Sequence, residues 1–239
     1  LEALRCMLAV FGEGKTTAEA VREALGLSSE ELDARFLAWL ERQLRVPLEG
    51  LPVWREGMKR LAEAARAGRH EDVLREGPVV RDLYPDYVEA GSAYELLAAA
   101  YLAAGDMEAA RRELAAWAGR GGRDPALLKQ LAALEAEAGR KQEAAQTLEC
   151  VLYVASGDEE THRALGDLLL ELGQPERAIR EYRVVLALGP ADVAAAHYNL
   201  ARACWAAQRL DEAREHVLAA LEAAPGYRPA QKLLLELNP

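Results

Sequence analysis

Residues Glu159 to Pro190, EETHRALGDLLLELGQPERAIREYRVVLALGP, decide the fold. They read as two helices joined by a tight turn. Leu165, Gly166 and Leu169 share the first helix, and Gly173-Gln174-Pro175 breaks the pattern. Ala178, Tyr182 and Val185 then recur at helical spacing, and Gly189-Pro190 stops the second helix. Gly166 and Ala178 are small enough for two helix backbones to approach closely while larger side chains fill the space around them.

Outside this stretch the same signals recur in phase. Turn glycines fall at Gly105, Gly139 and Gly173, each 34 residues from the next. Packing alanines fall at Ala110, Ala144, Ala178 and Ala213, at intervals of 34, 34 and 35. Leu97, Leu131, Leu165 and Leu200 keep the same intervals, and each precedes a small residue, Ala98, Ala132, Gly166 or Ala201. The closing prolines Pro190 and Pro225 lie 35 apart. Chance alanines would not stay in phase with Gly, Leu and Pro together. The repeats start near Gly91, Pro125, Glu159 and Ala194, and Asp124-Pro125 supplies an N-cap and first helical residue for one start.

This register resembles the 34-residue tetratricopeptide repeat (TPR), whose pattern has a large residue, Leu-Gly, a large residue, Gly, Ala, an aromatic and Pro at these offsets. The resemblance implies an all-α fold, a right-handed superhelical solenoid of helix-turn-helix repeats that binds other chains. The expected units are repeats 91–124, 125–158, 159–193 and 194–227, with a degenerate repeat 54–87 before them and a capping helix 228–237 after. In the degenerate repeat Val73 replaces the packing alanine, while Gly68 and Pro85 keep the punctuation. The last helix would turn Leu233 and Leu234 inward to cover the open end of the array.

The first fifty residues do not follow the repeat. Leu1 to Phe11 is an apolar helix, and the chain begins inside that pattern without an initiator Met, as a fragment of a longer protein would. Thr16-Thr17-Ala18-Glu19 and Ser28-Ser29-Glu30-Glu31 read as capping boxes. A helix from Glu30 to Leu44 carries Leu32, Phe36, Trp39 and Leu40 on one face, and Pro47, Gly50 and Pro52 read as a break. The chain therefore divides into residues 1–50 and a TPR domain, 51–239. FGEGKTTAEAVREALGLSSEELDARFLAWL resembles the helical tail that follows the catalytic core of peptidase-MA-like gluzincins. It carries no catalytic motif. The resemblance implies an inert regulatory or substrate-positioning tail of an upstream metalloenzyme.

Composition narrows the function. Of 239 residues 51% are hydrophobic but only 6% aromatic, and strand formers are sparse. The net charge of −10 and pI of about 5.1 argue against a nucleic-acid partner, which needs a basic face. No apolar run is long enough to span a membrane. Abundant Arg and Ala suit a GC-rich bacterial genome, an association rather than a physical inference; the compartment is not readable. Cys6, Cys150 and Cys204 are too far apart for a disulfide framework or zinc site, and Cys150 and Cys204 read as buried thiols.

No catalytic, metal or cofactor site assembles. Gly12-Glu13-Gly14-Lys15-Thr16 lacks the earlier glycine of a phosphate loop, since position 9 is Ala, and reads as a turn with a Thr N-cap. His70-Glu71 lacks the second zinc-binding His, since position 74 is Leu, and His70 reads as a turn residue. His162, His197 and His216 stand isolated, the first two where the family places an aromatic packing residue. His197 and Cys204 lie two turns apart, about 10 Å along the helix, beyond hydrogen-bond reach. Acid pairs such as Glu159-Glu160 sit in first helical turns, where the dipole accounts for them.

The functional reading rests on the inner face. In TPR arrays the first helix of each pair lines a concave groove. The corresponding positions here include Lys129, Arg163, Asp167, Tyr198, Asn199, Arg202, Trp205 and, on the cap helix, Lys232. Cations beside aromatic faces suit a protein or peptide partner that is acidic or carboxylate-terminated. The carboxylate clamp of chaperone adaptors is not reproduced, because Lys129 is followed by Ala133 and Glu137. The competing reading makes these residues solvated helix ion pairs, for example Arg163 with Asp167. Exposed end faces also allow a homodimer.

Overall fold

The computed structural model describes residues 1–237, apart from the side chains of 46–48; the Pro47 side chain, Asn238 and Pro239 thus lie outside the description. All regular structure among the described residues is helical. The chain forms two compact units, Leu1–Gly57 and Met58–Pro239.

In the first unit α1 (Glu2–Gly12) packs on α2 (Thr17–Leu25), and α3 (Ser29–Arg66) follows. Both capping boxes form. The Thr16 amide donates to Glu19 at 2.8 Å and the Glu19 amide to Thr16 Oγ1 at 3.4 Å. Ser28 and Glu31 repeat the exchange at 2.8 and 3.1 Å. The helix expected to stop at Leu44 instead continues as α3 through Gly50 and Pro52. A proline costs a helix about 3 kcal/mol in its interior but does not end it when strong helix formers follow, and residues 54–66 are mostly Arg, Glu, Met, Lys, Leu and Ala. Phe36 and Trp39 stack at 6.0 Å between centroids and are half exposed.

The second unit stacks helix pairs. After the end of α3 come α4 (His70–Leu83), α5 (Ala93–Ala103), α6 (Met107–Gly119), α7 (Pro125–Glu137) and α8 (Lys141–Val154). Then follow α9 (Glu159–Glu171), α10 (Pro175–Ala187), α11 (Val193–Ala206), α12 (Leu210–Ala223) and α13 (Arg228–Glu236). His70 opens α4 rather than lying in the turn. The phased alanines Ala110, Ala144, Ala178 and Ala213 are all 0% exposed, and the phased leucines are equally buried. Their burial fixes the register: a larger residue would push neighbouring helices apart. Ser92, Asp106, Asp124, Asp158 and Asp192 cap the first turns they precede. On α13, Leu233 is buried and Leu234 half-buried, so the helix covers the end of the stack.

The tight turns share one geometry. The amide two residues beyond each helix's last turn reaches back five residues, as in Asp106 to Tyr101 (2.9 Å), Arg140 to Glu135 (2.8 Å), Gln174 to Leu169 (2.8 Å) and Arg209 to Cys204 (2.8 Å). This requires a left-handed residue just before it, supplied by Gly105, Gly139 and Gly173, but in the last pair by Gln208 at φ 61°. Gln208 is exposed. Gln208→Gly is therefore expected to stabilise the protein by about 1 kcal/mol, by relieving the left-handed strain of a residue with a Cβ. Urea unfolding with an unchanged slope checks this.

A polar position recurs on the outer helices. Glu113, Thr147, Glu181 and His216 follow one another at 34, 34 and 35 residues. Each bonds to a neighbouring helix: Arg81 to Glu113 (2.6 Å), Thr147 to Glu135 (2.7 Å), His162 with Glu181 (2.7 Å) and His197 with His216 (3.2 Å).

Candidate functional site

The inner helices α7, α9, α11 and α13 carry the eight expected groove residues, and the structure sorts them into separate groups. Tyr198, Arg202, Trp205 and Lys232 converge on one cleft of about 510 Å³ between α11 and α13. Leu170, Pro229 and Leu233 complete its apolar wall, and Glu236 sits on its rim. The convergence follows from helical spacing: Tyr198, Arg202 and Trp205 are four and three residues apart, on one stripe of α11. The Arg202 guanidinium lies 5.8 Å from the centre of the Tyr198 ring. Tyr227 meets Tyr198 edge-on at 5.6 Å, fixing the ring from behind.

Arg202 also holds its place through Asp167 (3.5 Å) and the Asn199 side-chain oxygen (3.3 Å). Asn199 thus supports Arg202 and does not line the cleft. Lys232 pairs loosely with Glu236 at 3.8 Å and is 81% exposed, leaving its ammonium available.

The other expected residues stand apart. Lys129 is bound to the Asp158 carboxylate and approaches Glu160 at 3.4 Å. The hydrogen bond that Lys129 donates to Asp158 raises the Lys129 pKa above its ordinary value. Arg163 is exposed and pairs with Glu159 at 3.4 Å, one turn behind it. The anticipated Arg163–Asp167 pair is absent because Asp167 is engaged elsewhere, accepting the Tyr182 hydroxyl at 2.8 Å as well as Arg202. Burial, and then the bond to Asp167, push the Tyr182 pKa well up.

The histidines and cysteines depart in part from the sequence reading. His162 packs as expected at 7% exposure, with Nδ1 2.7 Å from Glu181 and Nε2 3.0 Å from the Ser156 carbonyl oxygen. His197 and His216 are not isolated: their Nδ1 atoms lie 3.2 Å apart and the rings stack at 5.3 Å. The signal was available, since both pairs are 19 residues apart, the offset linking facing positions of a hairpin. Cys204 is buried, but Cys150 is exposed, because it follows the buried Leu148 by two residues and precedes the buried Val151, on the outer side of α8.

Burial lowers the pKa of both His197 and His216, and the His197 charge lowers His216 further. As pH falls through the ordinary value of 6.5, the unfolded chain takes up protons that the folded pair resists. Stability therefore drops with falling pH below about 6.5, by up to about 1.4 kcal/mol per pH unit for each proton withheld. Melting curves from pH 7.5 downward are expected to show a shallower decline in His216→Gln than in the unaltered chain.

No group of three potential metal ligands occurs among the described residues, and no described helix is long and apolar enough to cross a membrane.

Comparison with known proteins agrees with this fold. A family model described as "Tetratricopeptide repeat" matches residues 163–228. The structure of MamA residues 41 to the end from Desulfovibrio magneticus RS-1 is 28% identical, with 61% of this chain and 81% of that chain covered and a TM-score of 0.52. YrrB, described as a TPR protein with an unusual peptide-binding site, is 16% identical, with 74% and 89% covered and a TM-score of 0.57. A second MamA structure is 19% identical, with 71% and 91% covered and a TM-score of 0.53. No curated protein matches the sequence. The fold is that of a TPR helical solenoid. The comparisons do not show the resemblance of the first block to peptidase-MA-like tails.

Proposed function

We propose that the chain is a non-catalytic protein-interaction scaffold whose inner groove binds an extended segment of a partner protein. The observation that carries this reading is the cleft where Tyr198, Arg202, Trp205 and Lys232 come together with an apolar wall. Aromatic faces and a planar guanidinium are the groups that carry most binding energy in protein interfaces. Arg202 is already oriented by Asp167 and Asn199, so little freedom is lost when it engages a ligand. The ligand end bound here is an acidic side chain or a terminal carboxylate next to an apolar residue, seated between Arg202 and the exposed Lys232.

The double variant Arg202→Glu plus Lys232→Glu tests this on arrays of acidic and carboxylate-terminated peptides. Binding is expected to weaken at least about tenfold, since both attractions become repulsions. Unchanged binding by a folded double variant counts against the groove as the site.

A further inference from the structure

A second cleft, of about 400 Å³, opens between α7 and α9. Its floor is made of small and aliphatic side chains: Ala132, Ala133, Ala136, Ala164 and Leu168. Four of these are alanines, whose short side chains leave the space above them open to an aliphatic group. Its charged wall is unlike that of the α11–α13 cleft. Glu160, Asp167 and Glu171 line it with one ammonium, Lys129, which Asp158 and Glu160 already neutralise, while Arg202 and Lys141 reach Asp167 and Glu171 from outside the cleft. Thr161, 2% exposed, also lines the wall, and its hydroxyl oxygen has no hydrogen-bond partner. The α11–α13 cleft is lined by Arg202 and Lys232 with Glu236, and Asp167, at the edge of the first cleft, also accepts from Arg202. The groove is thus acidic around an apolar floor at one end and basic around aromatic rings at the other.

We infer that the α7–α9 cleft is a second binding subsite, which takes an aliphatic side chain flanked by lysine or arginine, and that the groove so fixes the direction of the segment it binds. This rests on the groove reading above and adds a ligand class to it. Successive inner helices spaced about 10 Å apart put the two clefts about 20 Å apart. An extended chain covers that distance in about six residues. The ligand therefore carries a basic–aliphatic element about six residues from its acidic or carboxylate element. Reversing the order of the two elements places like charges together at both ends.

The test is selection from an array of random linear peptides with free C termini, followed by affinity measurement on the full chain through Trp205 fluorescence. Selected peptides are expected to pair the two elements at that spacing. Ala133→Trp fills the cleft from an exposed position, and Glu171→Lys reverses its charge; each is expected to weaken binding about tenfold. Arg75→Ala removes an exposed ion pair on α4 that lines neither cleft and is expected to leave affinity within about twofold. Uniformly acidic binders, or affinities untouched by Ala133→Trp and Glu171→Lys while Arg202→Glu abolishes binding, overturn the second subsite and leave the groove reading standing. Absence of any binder overturns both.

Discussion

Trp117→Ala is expected to cost about 3–5 kcal/mol of stability, a large share of the roughly 5–15 kcal/mol that holds a domain folded. Trp117 is 1% exposed and packs with Tyr94, Leu128 and Val151. Its indole N–H donates to the Val88 carbonyl oxygen at 2.8 Å, tying the loop before α5 to α6. A Cβ on Gly122 would lie 2.1 Å from the ring, so the chain after α6 is pressed against the indole and has no slack to fill the cavity. Truncation leaves that cavity open and strands the carbonyl. Trp117→Phe keeps most of the packing and should cost less, mainly the about 1–3 kcal/mol of the unpaired buried acceptor. Urea titrations followed by circular dichroism separate the two, and a milder or equal loss in Trp117→Ala would contradict the packing argument.

Tyr182→Ala is the second large effect, again about 3–5 kcal/mol. Tyr182 is 1% exposed, lies over Gly166 and donates its hydroxyl to Asp167. A Cβ on Gly166 would stand 2.7 Å from the ring edge, so glycine there makes room for the tyrosine of its own hairpin. Gly166→Ala alone is destabilising, yet in the Tyr182→Ala background the added methyl meets empty space. The double variant should therefore lose less than the sum of the two single losses, a coupling that a thermodynamic cycle reads directly. Additive losses would show that the two positions do not touch.

These contacts explain what the sequence could and could not disclose. Ala178, Leu165 and their phased counterparts were readable because an array repeats one packing problem at a fixed interval, and only small or apolar residues solve it. Gly166 was readable as special, but not its reason, since periodicity marks a small residue without naming the ring above it. Gln208 escaped notice because the left-handed turn is a backbone demand that glycine usually advertises and glutamine does not. The continuation of α3 through Pro52 was hidden for the opposite reason, a strong breaker outweighed by its helix-forming neighbours. Helical spacing put Tyr198, Arg202 and Trp205 on one stripe of α11, and they line one cleft. Which cation stays available could not be read, because Asp158 and Asp167, the partners of Lys129 and Arg202, come from a neighbouring turn and a neighbouring helix.

The polar position shared by the outer helices has a consequence for assembly. Stacked repeats with the same apolar register are nearly interchangeable, so an array can misfold by docking a hairpin one place out of order or onto another molecule. Here the four successive contacts use different chemistry: guanidinium with carboxylate, hydroxyl with carboxylate, imidazole with carboxylate, and imidazole with imidazole. Three of the four join the two helices of one hairpin and travel with it; of the four, Arg81–Glu113 crosses from α4 to α6, so docking another hairpin in place of α4 would leave the largely buried Glu113 carboxylate without its guanidinium. The alanines let any two repeats stack; the dissimilar pairs lock each hairpin onto its own second helix, and the Arg81–Glu113 pair labels which unit precedes α5 and α6.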